Sequence, residues 1–249
     1  TIIHIVPSLA RMWLDHVPAG VTLKHLRRVF FAGEPLSDVL VQRWRKAFPG
    51  PCEIVNLYGP TETTLAKCFY RVPEQPEQGV QPIGQALPQT QVLILDGRRR
   101  PCGLNEAGEI VIRTPFRTLG YLGNQQANEA AFIRNPFRED TDDLLYLTGD
   151  SGRYRTDGVL EIHGRLDNQV KIRGVRIEPG EIEACLAHHP SVRGVVVAAG
   201  GDPENGKFLV AYVVASPEAA VEPVASAIDG YRRFLRERLN TDRCYATVD

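Results

Sequence analysis

Asn56-Leu57-Tyr58-Gly59-Pro60-Thr61-Glu62-Thr63-Thr64 sets an aromatic ring, a rigid Gly-Pro turn, hydroxyls and one carboxylate just past an apolar run. Such a loop can stack a flat base on Tyr58, offer Thr61 to a phosphate and use Glu62 as an oxygen ligand for Mg²⁺. A polar turn with a helix cap would have the same composition, so this segment alone leaves two readings open. Tyr146-Leu147-Thr148-Gly149-Asp150 predicts a strand that ends in a Gly turn with an exposed Asp. That Asp could accept hydrogen bonds from the two vicinal hydroxyls of a ribose, although strand-Gly-Asp is also a common turn. Between Gly164 and Glu183, the cations Arg165, Lys171, Arg173 and Arg176 alternate with apolar residues and are flanked by glycines, with Asp167 beside them. A solvated strand face explains the alternating charge but not the glycines and the Asp together.

These residues need a scaffold, and the chain is long enough to supply one. With 249 residues, 43% hydrophobic and 24% charged, it can bury one large core or two modest ones. A net charge of -1, with the Lys and Arg spread along the chain, offers no broad cationic surface to nucleic acid or anionic lipid. A small-molecule or protein partner is the expectation. The five cysteines, Cys52, Cys68, Cys102, Cys185 and Cys244, never form a C-x-x-C pair, and the adjacent His188 and His189 lack metal-site spacing. Neither a disulfide framework nor a zinc site is expected, and a reducing cytoplasmic location fits. No apolar run approaches the ~18 residues of a membrane span. The chain opens at Thr1 on an apolar stretch without an initiator Met or a charged leader, so a preceding segment is expected.

The opening pattern predicts a strand over 2–6, a helix over 9–14, a strand over 29–31, a helix over 36–48 and a strand over 53–56. Strands alternating with helices imply a parallel sheet whose C-terminal strand edge carries the binding loops, with Asn56 at that edge. From about residue 91 the pattern becomes short strands at 92–95, 109–112 and 146–148, then a hairpin in which Thr156-Asp157-Gly158 turns Tyr154 back into 160–163. This predicts a small antiparallel, barrel-like part. A third unit follows: a strand at 169–172, a helix at 179–187, strands at 195–199 and 208–214, and a basic amphipathic helix to about 239.

The three motifs, in this order, closely resemble the ANL superfamily of adenylate-forming enzymes, and within it the adenylation domains of nonribosomal peptide synthetases. Gly108-Glu109-Ile110 through Gly120-Tyr121-Leu122 is similar to the same family's intervening motif, and Phe31-Ala32-Gly33-Glu34-Pro35-Leu36 to its adenine-side loop. The resemblance covers roughly residues 1–240. Pro60 and the wording Asp-Asn-Gln-Val-Lys-Ile-Arg-Gly favour peptide synthetases over acyl-CoA ligases and luciferases.

The resemblance implies an α/β fold. Residues 1–165 would be the C-terminal part of an adenylation core, with an α/β layer at 1–90 and a β-barrel-like part at 91–165. A hinge at 166–168 would follow, and then a small mobile α+β subdomain at 169–249, incomplete or interrupted after about 239. It implies that Gly33 and Glu34 lie along the adenine, Tyr58 stacks on it and Asn56 meets the base edge, with Gly59 in the same nucleotide loop. Thr61 would contact the α-phosphate and Glu62 the Mg²⁺. Asp150, assisted by Arg165, would hold the ribose, with Ile162 beneath the nucleotide. Asp167 corresponds to the hinge, and Lys171 faces the nucleotide or the pantetheine arm. By analogy Ile5, Phe30, Ala32, Leu57, Leu65 and Ala66 line an apolar acyl pocket.

The implied activity uses ATP and Mg²⁺ to adenylate a small carboxylic acid, an amino acid or a related keto or hydroxy acid. The acyl group then passes to the phosphopantetheine thiol of a peptidyl or acyl carrier domain in cis, beside other synthetase domains. The competing readings are an acyl- or aryl-CoA ligase relative and a non-catalytic docking fragment. The family's glycine-rich phosphate loop and the Asp that pairs with a substrate amine would precede residue 1, and neither is present. The family's late catalytic Lys is not matched after Leu239, where the chain reads Asn-Thr-Asp-Arg-Cys-Tyr. Asn205-Gly206-Lys207 resembles that motif but reads as a hairpin turn.

Overall fold

A computed structural model describes residues 1–18, 20–140, 142–202, 206–217 and 224–238. The chain divides into two compact units, Thr1–Asp167 and Asn168–Asp249.

The first unit opens with β1 (Ile2–Ile5), α1 (Pro7–His16), β2 (Arg28–Ala32), α2 (Asp38–Ala47) and β3 (Glu53–Tyr58). β1, β2 and β3 pair in parallel in the order β1-β2-β3. Alternation drives the packing: Val29 and Phe31 are buried while the intervening Phe30 is half-buried. Helix α2 lays Leu40, Val41 and Trp44 on the buried face, with Trp44 edge-on to Phe31 at 5.5 Å between ring centroids. Ser37 caps α2, its hydroxyl accepting the Leu40 N–H at 3.2 Å.

The sheet is mixed rather than purely parallel. β4 (Cys68–Arg71) and β5 (Gln85–Ala86) extend it, both antiparallel to their neighbours. β3 also runs on to Tyr58, so Asn56 lies inside the strand and not at its edge.

A second sheet is antiparallel throughout. It takes the order β10-β9-β7-β6 from β6 (Gln91–Leu95), β7 (Gly108–Arg113), β9 (Leu144–Tyr154) and β10 (Leu160–Arg165), with β8 (Phe132–Arg134) also on β9. It is an open sheet: among the described residues β6 and β10 do not pair to close a barrel. Instead Ile83 N–H and Gly84 N–H donate to the Leu160 carbonyl, which ties β10 to the approach to β5. One core is shared across this join, with Tyr58, Cys68 and Ile83 packed among Val92, Ile94, Ile110, Ile112 and Leu160. Helix α3 (Gln125–Ala131), before β8, buries none of its residues.

The second unit begins with a hairpin of β11 (Val170–Ile172) and β12 (Val175–Ile177), turned at Arg173 and Gly174, both at positive φ. α4 (Pro179–Ala187), the antiparallel pair β13 (Val192–Asp202) and β14 (Gly206–Ala215), and α5 (Val224–Arg238) complete it. Its core gathers Ile177, Ile182, Leu186, Val197 and Leu235. Lys207 pairs with Gly201 in the β13–β14 ladder. Asn205 and everything from Leu239 onward lie outside the described residues, and with them the expected interruption after 239. No helix among the described residues is long and apolar enough to cross a membrane.

Candidate active site

Two clusters in the first unit gather most of the polar residues singled out above. The first is the loop after β3. Its closure is fixed by Lys67 N–H donating to the Tyr58 carbonyl at 2.7 Å, which leaves Gly59 no room: an added Cβ there would lie 2.1 Å from the Leu65 carbonyl oxygen. Pro60 leads into a 3-10 turn, Thr61–Thr63, followed by Thr64 and Leu65, both at positive φ.

Thr61 is exposed, whereas Glu62 is only 6% exposed. The segment between β7 and α3 holds this loop at three points. Thr118 N–H donates to the Glu62 carbonyl at 2.8 Å, Thr64 Oγ1 donates to the Phe116 carbonyl at 2.5 Å, and the Tyr121 hydroxyl donates to Glu62 Oε1 at 2.6 Å. Asn128 of α3 fixes Tyr121 in turn, accepting its N–H at 2.5 Å and donating to its carbonyl at 2.9 Å. Lys67 is buried, donates to the Thr64 and Ala66 carbonyls at 3.3 Å each and lies 5.5 Å from the centre of the Phe116 ring. Burial pulls its ammonium pKa down.

The second cluster surrounds Asp150. β9 does not turn at Gly149 but passes through it with φ +70 and continues to Tyr154. Asp150 is therefore not exposed: it is 6% accessible, its Oδ2 accepting the Tyr58 hydroxyl at 2.5 Å and its Oδ1 accepting Arg165 Nη1 at 3.0 Å. Arg165 Nη1 also donates to the Thr148 carbonyl at 2.7 Å, while Nε and Nη2 grip Asp167 at 2.8 and 2.5 Å. Burial opposes the charge on Arg165, but Asp167 and Asp150 outweigh it and push its pKa up. Burial, followed by the Asp150 carboxylate, pushes the Tyr58 phenol well above its usual value.

Several expected positions differ. Tyr58 is 9% exposed, its ring packed in the core and its hydroxyl on Asp150, so the residue expected to stack on a base is anchored as a core side chain. Asn56 is 4% exposed and donates its amide to the Pro82 carbonyl at 2.8 Å. Gly33 takes φ +88, and the Glu34 carboxylate accepts the backbone N–H and hydroxyl of Ser8 at 2.8 and 2.9 Å, at the start of α1. Ile162 is half-buried against the core that holds Tyr58. Asp167 closes the first unit, held by Arg165. Lys171 belongs to the second unit, paired with Arg176 in the β11–β12 ladder.

Strand register splits the expected acyl pocket. Ala32 pairs with Leu57, and Phe30, two residues before Ala32, shares its sheet face. Ile5 pairs with Phe31 and falls in the core on the opposite face, while His4, paired with Phe30, is exposed on the pocket face. Leu65 is 69% exposed and Ala66 half-buried on the loop. Ile5→Ala is therefore expected to cost about 2–5 kcal/mol in urea unfolding.

The sequence assigns no role to Tyr121, Asn128, Thr118, Lys67 and Glu109, although Glu109, Thr118 and Tyr121 lie within the motif at 108–122. Only the hydrogen bonds reveal what they do.

An Mg²⁺ at Glu62 would need most of its ligands from elsewhere, as from a nucleotide's phosphates. Asp150 offers a fixed carboxylate of the kind that holds a diol. Among the described residues no group of three His, Cys, Asp or Glu could hold a metal by itself. Glu62 as a single carboxylate matches an Mg²⁺ that keeps phosphate oxygens and water as its remaining ligands.

The family model described as "AMP-binding enzyme" matches residues 1–122, and that described as "AMP-binding enzyme C-terminal domain" matches 181–246. Tyrocidine synthase 3 of Brevibacillus parabrevis is 38% identical over 218 residues, 88% of this chain and 3% of that protein. Novobiocin biosynthesis protein H of Streptomyces niveus is 39% identical over 243 residues, 97% of this chain and 38% of that protein. Among solved structures, IdnL1 superposes with a TM-score of 0.82 at 29% identity, covering 96% of this chain and 47% of that one. PA1221, an NRPS protein containing adenylation and PCP domains, gives 0.75 at 30% identity, covering 90% and 44%. The chain thus spans less than half the length of each of these proteins.

Proposed function

The chain belongs to the AMP-binding enzyme family, on its nonribosomal peptide synthetase side, and from that premise we propose that it forms the later part of a domain that adenylates a carboxylic acid with ATP. The observation that carries the reading is Asp150, a nearly buried carboxylate fixed between the Tyr58 hydroxyl and Arg165. A carboxylate held on two sides is oriented before the ligand arrives, so little ordering cost remains when two ribose hydroxyls donate to it.

The substrate carboxylate attacks the α-phosphorus of ATP, the bond to the bridging oxygen breaks and pyrophosphate leaves. Catalysis is mostly positioning and charge neutralisation. Thr61 reaches the α-phosphate from its exposed turn. Glu62, oriented by Tyr121, would hold the Mg²⁺ that accompanies the triphosphate and neutralises its charge. Gly33 and Glu34 line the adenine, Asn56 and Ile162 back it from the sheets, and Tyr58 steadies the Asp150 carboxylate that receives the ribose. Phe30, Ala32, Leu57, Leu65 and Ala66 face the acyl group, and their apolar character suits a hydrophobic amino, keto or hydroxy acid. A carrier-domain thiol in cis then displaces AMP to form the thioester, with Lys171 serving in one of the two steps and residues 166–168 acting as the pivot.

ATP–pyrophosphate exchange by the full-length protein tests this reading. Exchange is expected only with an added apolar acid, and Glu62→Ala is expected to reduce it by about 100-fold or more. Absence of exchange with every carboxylic acid tried would leave a docking role. Formation of a free CoA thioester would make the protein a ligase of that kind.

A further inference from the structure

We propose that Glu109 is a positioning residue that sets the ribose-binding carboxylate by holding the Gly149 peptide; the inference rests on the nucleotide reading of Asp150. Gly149 is where β9 departs from regular geometry, at φ +70 between Thr148 and Asp150. Its N–H donates to Glu109 Oε1 at 2.8 Å, and its carbonyl accepts the Leu166 N–H at 2.8 Å. The residues on either side are pinned as well: Thr148 Oγ1 donates to the Ile110 carbonyl at 2.7 Å and accepts the Asp150 N–H at 3.0 Å. The β7–β9 register shifts between Glu109 and Val111, so Glu109 and Ile110 both reach the 148–150 segment at the irregularity. A side chain would be strained here at φ +70, and its Cβ, 2.6 Å from Arg165 Nη2, would push the guanidinium aside. One residue, Gly149, therefore bonds Glu109 through its N–H and, through its carbonyl, Leu166 in the stretch 165–167 that ends the first unit, directly beside Asp150.

This arrangement leaves a signature in pH. Burial raises the Glu109 carboxyl pKa, opposed by the Gly149 N–H and by Arg165, with Asp150 raising it and Arg99 lowering it. As the pH falls through that raised pKa the carboxylate is neutralised and its hold on Gly149 N–H weakens, since hydrogen bonds to charged acceptors are the stronger ones. Nucleotide affinity should then weaken by no more than about threefold, the loss expected of a neutral acceptor in place of the carboxylate.

The test uses the full-length protein with AMP as the probe, together with an amide NMR titration. In the parent, the Gly149 amide proton should shift with pH over the acid range. In Glu109→Gln, whose amide oxygen still accepts, that titration should vanish while AMP affinity stays within about threefold. Glu109→Ala, left with no acceptor, should bind AMP about tenfold more weakly, as expected for one lost charged hydrogen bond, with its unfolding still cooperative. AMP affinity equal to the parent's in Glu109→Ala, or a Gly149 amide that does not titrate in the parent, would overturn the proposal. A parent that binds no AMP would instead overturn the nucleotide reading of Asp150 and this inference with it.

Discussion

Gly59→Ala is expected to lower the thermal midpoint sharply and to abolish nucleotide binding, although it adds a single methyl group. The methyl has nowhere to go. Its position lies 2.1 Å from the Leu65 carbonyl oxygen, 2.7 Å from the Lys67 nitrogen and 2.9 Å from the Ala66 Cα, all of them backbone atoms. A flexible side-chain tip could swing aside, but here the chain itself must open. Opening lengthens the 2.7 Å Lys67 N–H to Tyr58 carbonyl bond, which closes the loop. Overpacking costs about 1–3 kcal/mol and occasionally more, and the lost bond about 1 kcal/mol further. Function suffers more than stability, because Thr61 and Glu62 sit within the displaced loop and an error of about 1 Å in positioning can cost 100-fold in rate. Gly97→Ala is the control: nothing lies within 4 Å of a Cβ there, and it should unfold like the parent. Equal midpoints for the two variants would show that the loop closes differently from the geometry described.

The parts of the fold that the sequence displays are those in which packing repeats with a regular period. Val29 and Phe31 alternate with Phe30, and Leu40, Val41 and Trp44 mark one face of α2, so the opening strands and helices read directly. α3 buries nothing and so leaves no apolar stripe to read. Gly149 looks like a turn because strand and turn glycines are locally alike. Only the partners of β9 show that the strand continues through it. Closure is likewise hard to read, because short antiparallel strands do not reveal whether the last meets the first; among the described residues the β10 edge is tied to residues 83–84.

The site was legible as motifs but not as contacts. Tyr58 and Asp150 are 92 residues apart, and no local pattern says that one donates to the other. The expected acyl pocket shows how fine the margin is. Ile5 and His4 differ by one position, and a shift of one residue in a strand moves a side chain to the other face of the sheet. Hydrophobicity favours Ile5, whereas register puts His4 beside Phe30.

Asp150→Ala should cost both stability and nucleotide binding, and Asp150→Asn should separate the two. Removing the carboxylate takes the acceptor from the buried Tyr58 hydroxyl and one of the carboxylates from Arg165. A buried donor left without its partner costs about 1–3 kcal/mol. Arg165 keeps Asp167 and the Thr148 carbonyl, so the guanidinium is not stranded and the fold should persist with a lowered midpoint. Asn fills the same space. Its oxygen can remain toward Arg165, and the Tyr58 hydroxyl, free to rotate, can accept from its NH₂. Its midpoint should stay near the parent's. Binding is different, because the ribose loses a charged acceptor, and charge-assisted hydrogen bonds are roughly twice as strong as neutral ones. AMP affinity is expected to fall about tenfold in Asp150→Asn and about 100-fold or more in Asp150→Ala, measured by calorimetry beside thermal unfolding. If Asp150→Asn binds AMP like the parent, the negative charge is needed only to hold Arg165, and Asp150 supports the nucleotide site rather than forming it.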